Sequence, residues 1–212
     1  GRFTRFSVPE DCVTRIRFAD KAPVAAWYGE STSNSDRLYS LQLSNGKSTL
    51  LEDLSTLKLK DVILGTCQSW NFVSSRGDTL SGRCYLPPHF DAAKKYPLIV
   101  YYYGGCSPVS SFFEGHYPLH LYAAQGYVVY IINPSGAAGF GQEFSSRHVN
   151  TAGKGVADDI IEGTKAYYDD PNGTALTQAE VTELAKYAKE KGIGLIPAIN
   201  SPGHMDAMLV AM

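Results

Sequence analysis

Hydrophobic and polar positions change rhythm twice along this chain. Over residues 13–60 the apolar positions come in short runs broken by turn residues, and RLYSLQL (Arg37 to Leu43) alternates in part, as a strand with one covered face does. Asn45-Gly46 within SNGK marks a tight turn, after which STLL returns; this is the strongest local hairpin signal in the sequence. From Ser69 the texture shifts. WNFVSS and TLSGRCYLP read as two antiparallel strands joined at Arg76-Gly77-Asp78, and PPHFDAAKKYP follows as a polar, proline-bounded loop. LIVYYY (Leu98 to Tyr103) is apolar and aromatic without a polar face, which predicts a central strand covered on both sides. Pro118 opens a short predicted helix, PLHLYAAQ, Gly126 ends it, and YVVYII predicts the next buried strand.

A second helix is expected from about Val156 to Tyr168, with Val156, Ile160, Ile161, Thr164 and Tyr167 facing the sheet and Asp170-Pro171-Asn172-Gly173 stopping it. The third helix carries the fullest set of signals: a Thr177/Glu180 capping box, a Leu176/Val181 staple, and a stripe of Val181, Leu184, Ala185 and Ala188. Gly192 closes it and IGLIPAI begins a strand. Strand, helix, strand with short joins is the grammar of an α/β sheet. INSPGH (Ile199 to His204) therefore falls in a loop beyond a strand's C-terminal end, where parallel α/β folds bind ligands.

Composition narrows the class. At 212 residues, 44% hydrophobic and 19% charged, with 14 tyrosines and 9 phenylalanines, the chain can bury a substantial core. A formal charge of -2 without a basic block gives no motive for binding nucleic acid or an anionic membrane. No apolar run reaches the length of a membrane span, and the opening GRFTRFSVPE lacks the apolar stretch of a signal peptide, which leaves localisation open. Cys12, Cys67, Cys84 and Cys106 form no C-x-x-C pair and the histidines are widely spaced, so neither a metal site nor a cofactor is expected. The four read as free, partly buried thiols, with a disulfide as the alternative.

Two family resemblances emerge from the strings themselves. WNFVSSRGDTLSGRCYLPPHFDAAKKYPLIVYYYGG, then YPLHLYAAQGYVVYIINPSGAAGFGQEF, then ADDIIEGTKA, in that order, resemble the junction of propeller and hydrolase in the prolyl oligopeptidase and dipeptidyl peptidase family of serine peptidases. YYDDPNGTALTQAEVTELAKYAKEKGIGLIPAINSPGHMDAM resembles a helix and strand of the (β/α)8 barrel of family 20 glycoside hydrolases, the β-hexosaminidases. The implied α/β architecture is a β-rich, propeller-blade-like segment over residues 1–68, a partial α/β-hydrolase-like sheet over 69–167, and a barrel-like helix-strand unit over 168–212. The chain then reads as a chimera joined near Ala166 to Pro171.

Each resemblance implies chemistry that the sequence completes only in part. In the peptidase family a tyrosine before paired small residues helps the oxyanion, a role that would fall on Tyr103 in YYYGG, otherwise a packing residue at the strand end. The family nucleophile sits in a G-x-S-x-G-G elbow, and no G-x-S-x-G string exists here. Ser201 in INSPG comes nearest. Ile199 stands where the crowded elbow calls for glycine, and Pro202 has no N–H to offer the oxyanion, a donor worth about 3 kcal/mol in the transition state. After Ser201 the only histidine, His204, precedes Asp206, against the Ser, Asp/Glu, His order. His116, His120 and His148 read as ordinary surface or core histidines. In the glycosidase family His204 matches a supporting histidine near the sugar site, while the Asp-Glu catalytic pair lies on a later strand. Asp158-Asp159 reads as a solvated helix start, since adjacent positions share no helix face. NPSGAAGFGQ lacks the spacing of a phosphate cradle and reads as a turn-rich loop.

Three functions stay open: a peptidase-related fragment without peptide-bond hydrolysis, a β-N-acetylhexosaminidase-type fragment, and a non-catalytic designed or structural α/β protein. Peptide or an N-acetylhexosamine glycan would be a partner only where the parental site is complete. Raw sheet edges give a motive for self-association.

Overall fold

The computed structural model describes residues 3–113, 115, 117–151, 153–169 and 178–190. Its first part is an antiparallel meander, β1 (Cys12–Phe18), β2 (Val24–Ser31), β3 (Asn34–Gln42) and β4 (Ser48–Asp53), in the order β1-β2-β3-β4. The hairpin expected at Asn45-Gly46 joins β3 to β4: Gly46 takes φ +73°, and the Asn45 Oδ1 accepts the Lys47 N–H at 3.0 Å. Alternation along β2 and β3 turns Ala25, Trp27, Tyr39 and Leu41 to one covered face, with Trp27 stacked on Tyr39 at 4.4 Å. Asp53 then caps the short helix α1 (Leu54–Leu59) by accepting from the Thr56 amide.

The second sheet is mixed. Its strands are β5 (Cys67–Ser69), β6 (Phe72–Val73), β7 (Thr79–Tyr85), β8 (Leu98–Tyr101) and β9 (Val128–Asn133). The order is β5-β7-β9-β8, with β6 also paired to β7. β7 runs antiparallel to β9, and β8 lies parallel to β9 through the crossover helix α2 (Leu119–Ala124). β6 and β7 form the hairpin expected around Arg76-Gly77-Asp78, with Gly77 at φ +83°. Gly126, at φ +92°, ends α2.

β9 is the centre of this sheet and is buried along its whole length, as YVVYII predicts. Its alternate residues feed two cores: Val128, Tyr130 and Ile132 pack with Leu80, Cys84, Leu86 and Tyr167, while Val129 and Ile131 pack with Tyr85, Leu119 and Ala123. β8 departs from expectation in one respect. Both of its faces are covered, Leu98 and Val100 by the first core and Ile99 and Tyr101 by the second, yet among the described residues it is an outer strand paired with β9 alone. Its four side chains are accordingly half-buried.

Helices α3 (Gln142–Ser146) and α4 (Lys154–Asp169) follow, and α5 (Gln178–Glu190) matches the third predicted helix. Thr177, the stopping turn at 170–173, Gly192, the strand expected from IGLIPAI, and the buried stripe of α5 lie outside the described residues and side chains. In α4 the buried stripe is Val156, Asp159, Gly163 and Tyr167. Ile161, expected to face the sheet, is 64% exposed, because the helix turns Gly163 inward against Ile132 and Tyr130. All four cysteines are free, with Cys84 buried and Cys106 exposed.

Candidate functional site

Because β8 and β9 are parallel, their C-terminal ends open on one edge, and the loops leaving them meet there. Tyr103 stands two residues beyond β8. Its side chain is 44% exposed and lies over Gly105, where an added Cβ would come within 2.7 Å of the ring. Glycine at 105 thus makes room for the tyrosine. The loop continues under tight control: the Cys106 carbonyl accepts from the Ala138 amide at 2.7 Å, and the Val109 amide donates to the Asn133 Oδ1 at 2.8 Å. The Arg83 guanidinium donates to the carbonyls of Val109 and Ser110.

Beneath this edge lies a buried polar cluster that the sequence reading missed. The Asp159 carboxylate, 1% exposed, accepts from the Ser135 amide at 2.8 Å, from the Ser135 hydroxyl at 2.6 Å and from the Arg76 guanidinium. Arg76 also donates to the Ser135 Oγ at 2.8 Å and to the Gly155 carbonyl at 2.9 Å. Asp159 is therefore no solvated helix start. A buried carboxylate needs several donors to offset lost hydration, and Arg76, Ser135 and their backbone supply them. The signal was available, since Asp159 lies three residues after Val156, four before Gly163 and eight before Tyr167, on the inward stripe of α4.

The same hairpin turn grips the helices at two further points. Ser75 donates its amide and hydroxyl to Glu162 at 2.8 and 2.7 Å, and these bonds hold the Glu162 carboxyl below its ordinary range. Asp78 accepts from Arg147, whose guanidinium also reaches Glu143.

Chemically, the edge offers an exposed phenol at Tyr103 able to donate to an oxyanion, without a serine and histidine paired to it among the described residues. The Ser135 hydroxyl donates a hydrogen bond to Asp159 and is buried. His148 packs its ring against Gly136, which adopts φ +99°. His120 is committed to the carbonyl of Thr32. Ser201, His204 and His116 lie outside the described residues. No group of three His, Cys, Asp or Glu side chains among the described residues is placed to hold a metal ion, and no described helix is long and apolar enough to cross a membrane.

Comparison with known proteins adds two likenesses. The chain is 35% identical over 96 residues to a probable dipeptidyl-peptidase 5 of Aspergillus terreus, a match covering 42% of this chain and 13% of that protein. It is 30% identical over 158 residues to dipeptidyl-peptidase 5 of Porphyromonas endodontalis, covering 71% of this chain and 22% of the relative. The chain thus spans only a minor part of the length of these relatives. Among solved structures, an acylaminoacyl peptidase of Pyrococcus horikoshii superimposes with a TM-score of 0.68 over 80% of this chain and 26% of that one; at 21% identity the likeness concerns the fold. Residues 116–212 match the family model of the glycosyl hydrolase family 20 catalytic domain. The chain resembles the prolyl oligopeptidase and dipeptidyl peptidase family in its peptidase likeness and family 20 in its C-terminal part, and reads as a mixed chain. The family 20 match begins upstream of the seam expected near residues 166–171 and takes in α2, β9 and α4.

Proposed function

We propose that this chain is a peptidase-derived α/β scaffold that retains an oxyanion-donor position at Tyr103 and does not itself hydrolyse peptide bonds. One observation carries this reading: among the described residues no hydrogen bond joins a serine hydroxyl to a histidine ring, the buried Ser135 being committed to Asp159 and His120 to the Thr32 carbonyl. A nucleophile without a base in hydrogen-bond reach is not activated. Ser201 is the remaining candidate, and Pro202 denies it the backbone donor that acyl transfer uses. We place the seam near residues 166–171. Residues 1–68 then correspond to one propeller blade, 69–167 to the start of a hydrolase domain, and 168–212 to a barrel-type helix and strand.

Intact-mass analysis after treatment with a fluorophosphonate tests this directly. No adduct is expected on Ser201; stoichiometric labelling there, lost in Ser201→Ala, overturns the proposal. The family 20 match favours a second reading, a β-N-acetylhexosaminidase-type fragment in which His204 supports the sugar. That reading predicts release of N-acetylglucosamine from a chromogenic β-glycoside, abolished by His204→Ala; the scaffold reading predicts none. Peptide or glycan would bind only at a completed parental site. The partner that the outer strands fit is a second copy of this chain, because Phe18 on β1 and Leu50 and Leu51 on β4 leave apolar side chains exposed on both outer strands of the first sheet.

A further inference from the structure

One of the contacts between the two sheets is made by an imidazole. His120, on α2, directs Nε2 at the carbonyl oxygen of Thr32 in the turn between β2 and β3, 2.6 Å away. A carbonyl can only accept, so Nε2 carries the proton. The ring meets Tyr85 edge-on at 5.0 Å and lies beside Phe113 at 4.9 Å. Its other nitrogen, Nδ1, is buried and has no hydrogen-bond partner among the described residues. The Phe113 amide in turn donates to the Glu30 Oε2 at 3.0 Å, a second bond from the same loop region to the first sheet. The imidazole is thus held neutral. A second proton would place a cation among aromatic rings with its new N–H facing no acceptor.

Titratable groups surround this contact on every side without reaching Nδ1. From the first sheet come Glu30, which accepts from the Phe113 amide, and Asp11, which accepts from the Thr32 amide at 3.4 Å. From the second come Arg83, turned to the Val109 and Ser110 carbonyls, and Tyr85 and Cys67, which lie together beside Thr32. On α2 itself the other titratable side chain is Tyr122. The carboxylates serve backbone donors and neither accepts from the imidazole.

We propose that His120 is an acid-sensitive latch between the two sheets: neutral, it holds the β2–β3 turn against α2, and protonated, it releases that turn while each sheet keeps its own core. Burial pulls the proton affinity of His120 below its ordinary value of 6.5, opposed by the Thr32 carbonyl. The released ring returns to that ordinary value and binds a proton more readily than the latched one. The latch is therefore at full strength above about pH 6.5 and weakens as the pH falls through the latched value.

Amide hydrogen exchange on the full chain, corrected for intrinsic rates, tests this from about pH 8 to about pH 5. The Phe113 amide should open more readily below pH 6.5, by up to about tenfold per pH unit, while the amides of β9 keep their protection. His120→Gln keeps a donor for Thr32 but cannot titrate, and should make the opening of Phe113 independent of pH. Glu30→Gln should leave the acid response in place. No acid response in the wild type, the same response in His120→Gln, or its loss in Glu30→Gln overturns the proposal. Should His120→Gln lose the β9 protection and so fail to fold, the wild-type imidazole shift decides: a midpoint below 6.5 that tracks Phe113 opening supports the latch, and one at or above 6.5 sinks it.

Discussion

Glu10 gathers four side-chain donors on one buried carboxylate: the Ser31 hydroxyl at 2.6 Å, the Asn34 amide at 3.0 Å, the Tyr39 phenol at 2.5 Å and Arg37 at 3.4 Å. Burial pushes its carboxyl up, but hydrogen bonds from Ser31, Tyr39 and Asn34, with the charge of Arg37, outweigh that and hold it below its ordinary 4.5. A carboxylate lowered in this way stabilises the fold above about pH 4.5, and the contribution is lost as the pH falls through the lowered value. Burial and the neighbouring Glu10 raise Tyr39 to about 12, so it stays a donor throughout this range. Tyr39→Phe keeps the ring stacked on Trp27 and removes only the hydroxyl. We expect it to cost about 1.5–3 kcal/mol near neutral pH, measured by urea unfolding, and to shift the acid loss of stability to higher pH. An unchanged acid profile would count against Glu10 as its source.

Among the elements, the β6–β7 hairpin acts as a clamp: Ser75, Arg76 and Asp78 reach α4, the loop after β9 and the C-cap of α3. Removing Asp159 takes the countercharge from Arg76, which keeps its bonds to the Ser135 Oγ and the Gly155 carbonyl, and leaves the Ser135 amide without its acceptor. We expect Asp159→Ala to cost about 2 kcal/mol, below the range for a fully buried pair because the Arg76 side chain is 36% exposed. A double-mutant cycle with Arg76→Ala should return a coupling of about 1–2 kcal/mol, and additive losses would mean that the two act apart. This clamp also marks the limit of reading the sequence. The Asn45-Gly46 hairpin, the end of α2 at Gly126 and the buried run of β9 were legible because a turn glycine or an unbroken apolar run acts within a few residues. Asp159 was legible only in part: its phase with Val156, Gly163 and Tyr167 marked it as inward, but its partner Arg76 lies 83 residues away and two adjacent aspartates at a helix start have an adequate local explanation. The phase of α4 failed at Ile161 for a related reason, since the close approach of Gly163 to β9 decides which side turns inward. Tyr103 was legible as a position at the end of β8, while its lack of a described catalytic partner depends on where distant histidines go.

For the whole molecule, the strand orders leave β1 and β4 at the borders of the first sheet and β5 and β8 at those of the second, among the described residues. Phe18, 63% exposed on β1, is the most open apolar side chain on these strands. Sedimentation velocity should therefore show concentration-dependent association, reduced by Phe18→Lys, whose charge opposes edge pairing. A monomer at all concentrations would refute self-association, and association unaffected by the substitution would place it elsewhere. The two tryptophans of the chain fall one to each sheet. Trp27 is 1% exposed and lies flat on Tyr39, whereas Trp70 is half-buried and meets Tyr130 and Tyr167 edge-on, each at 5.3 Å. The protein thus has a separate intrinsic fluorophore in each half. Trp27→Phe and Trp70→Phe variants would let the emission of either half be followed alone, without an added label.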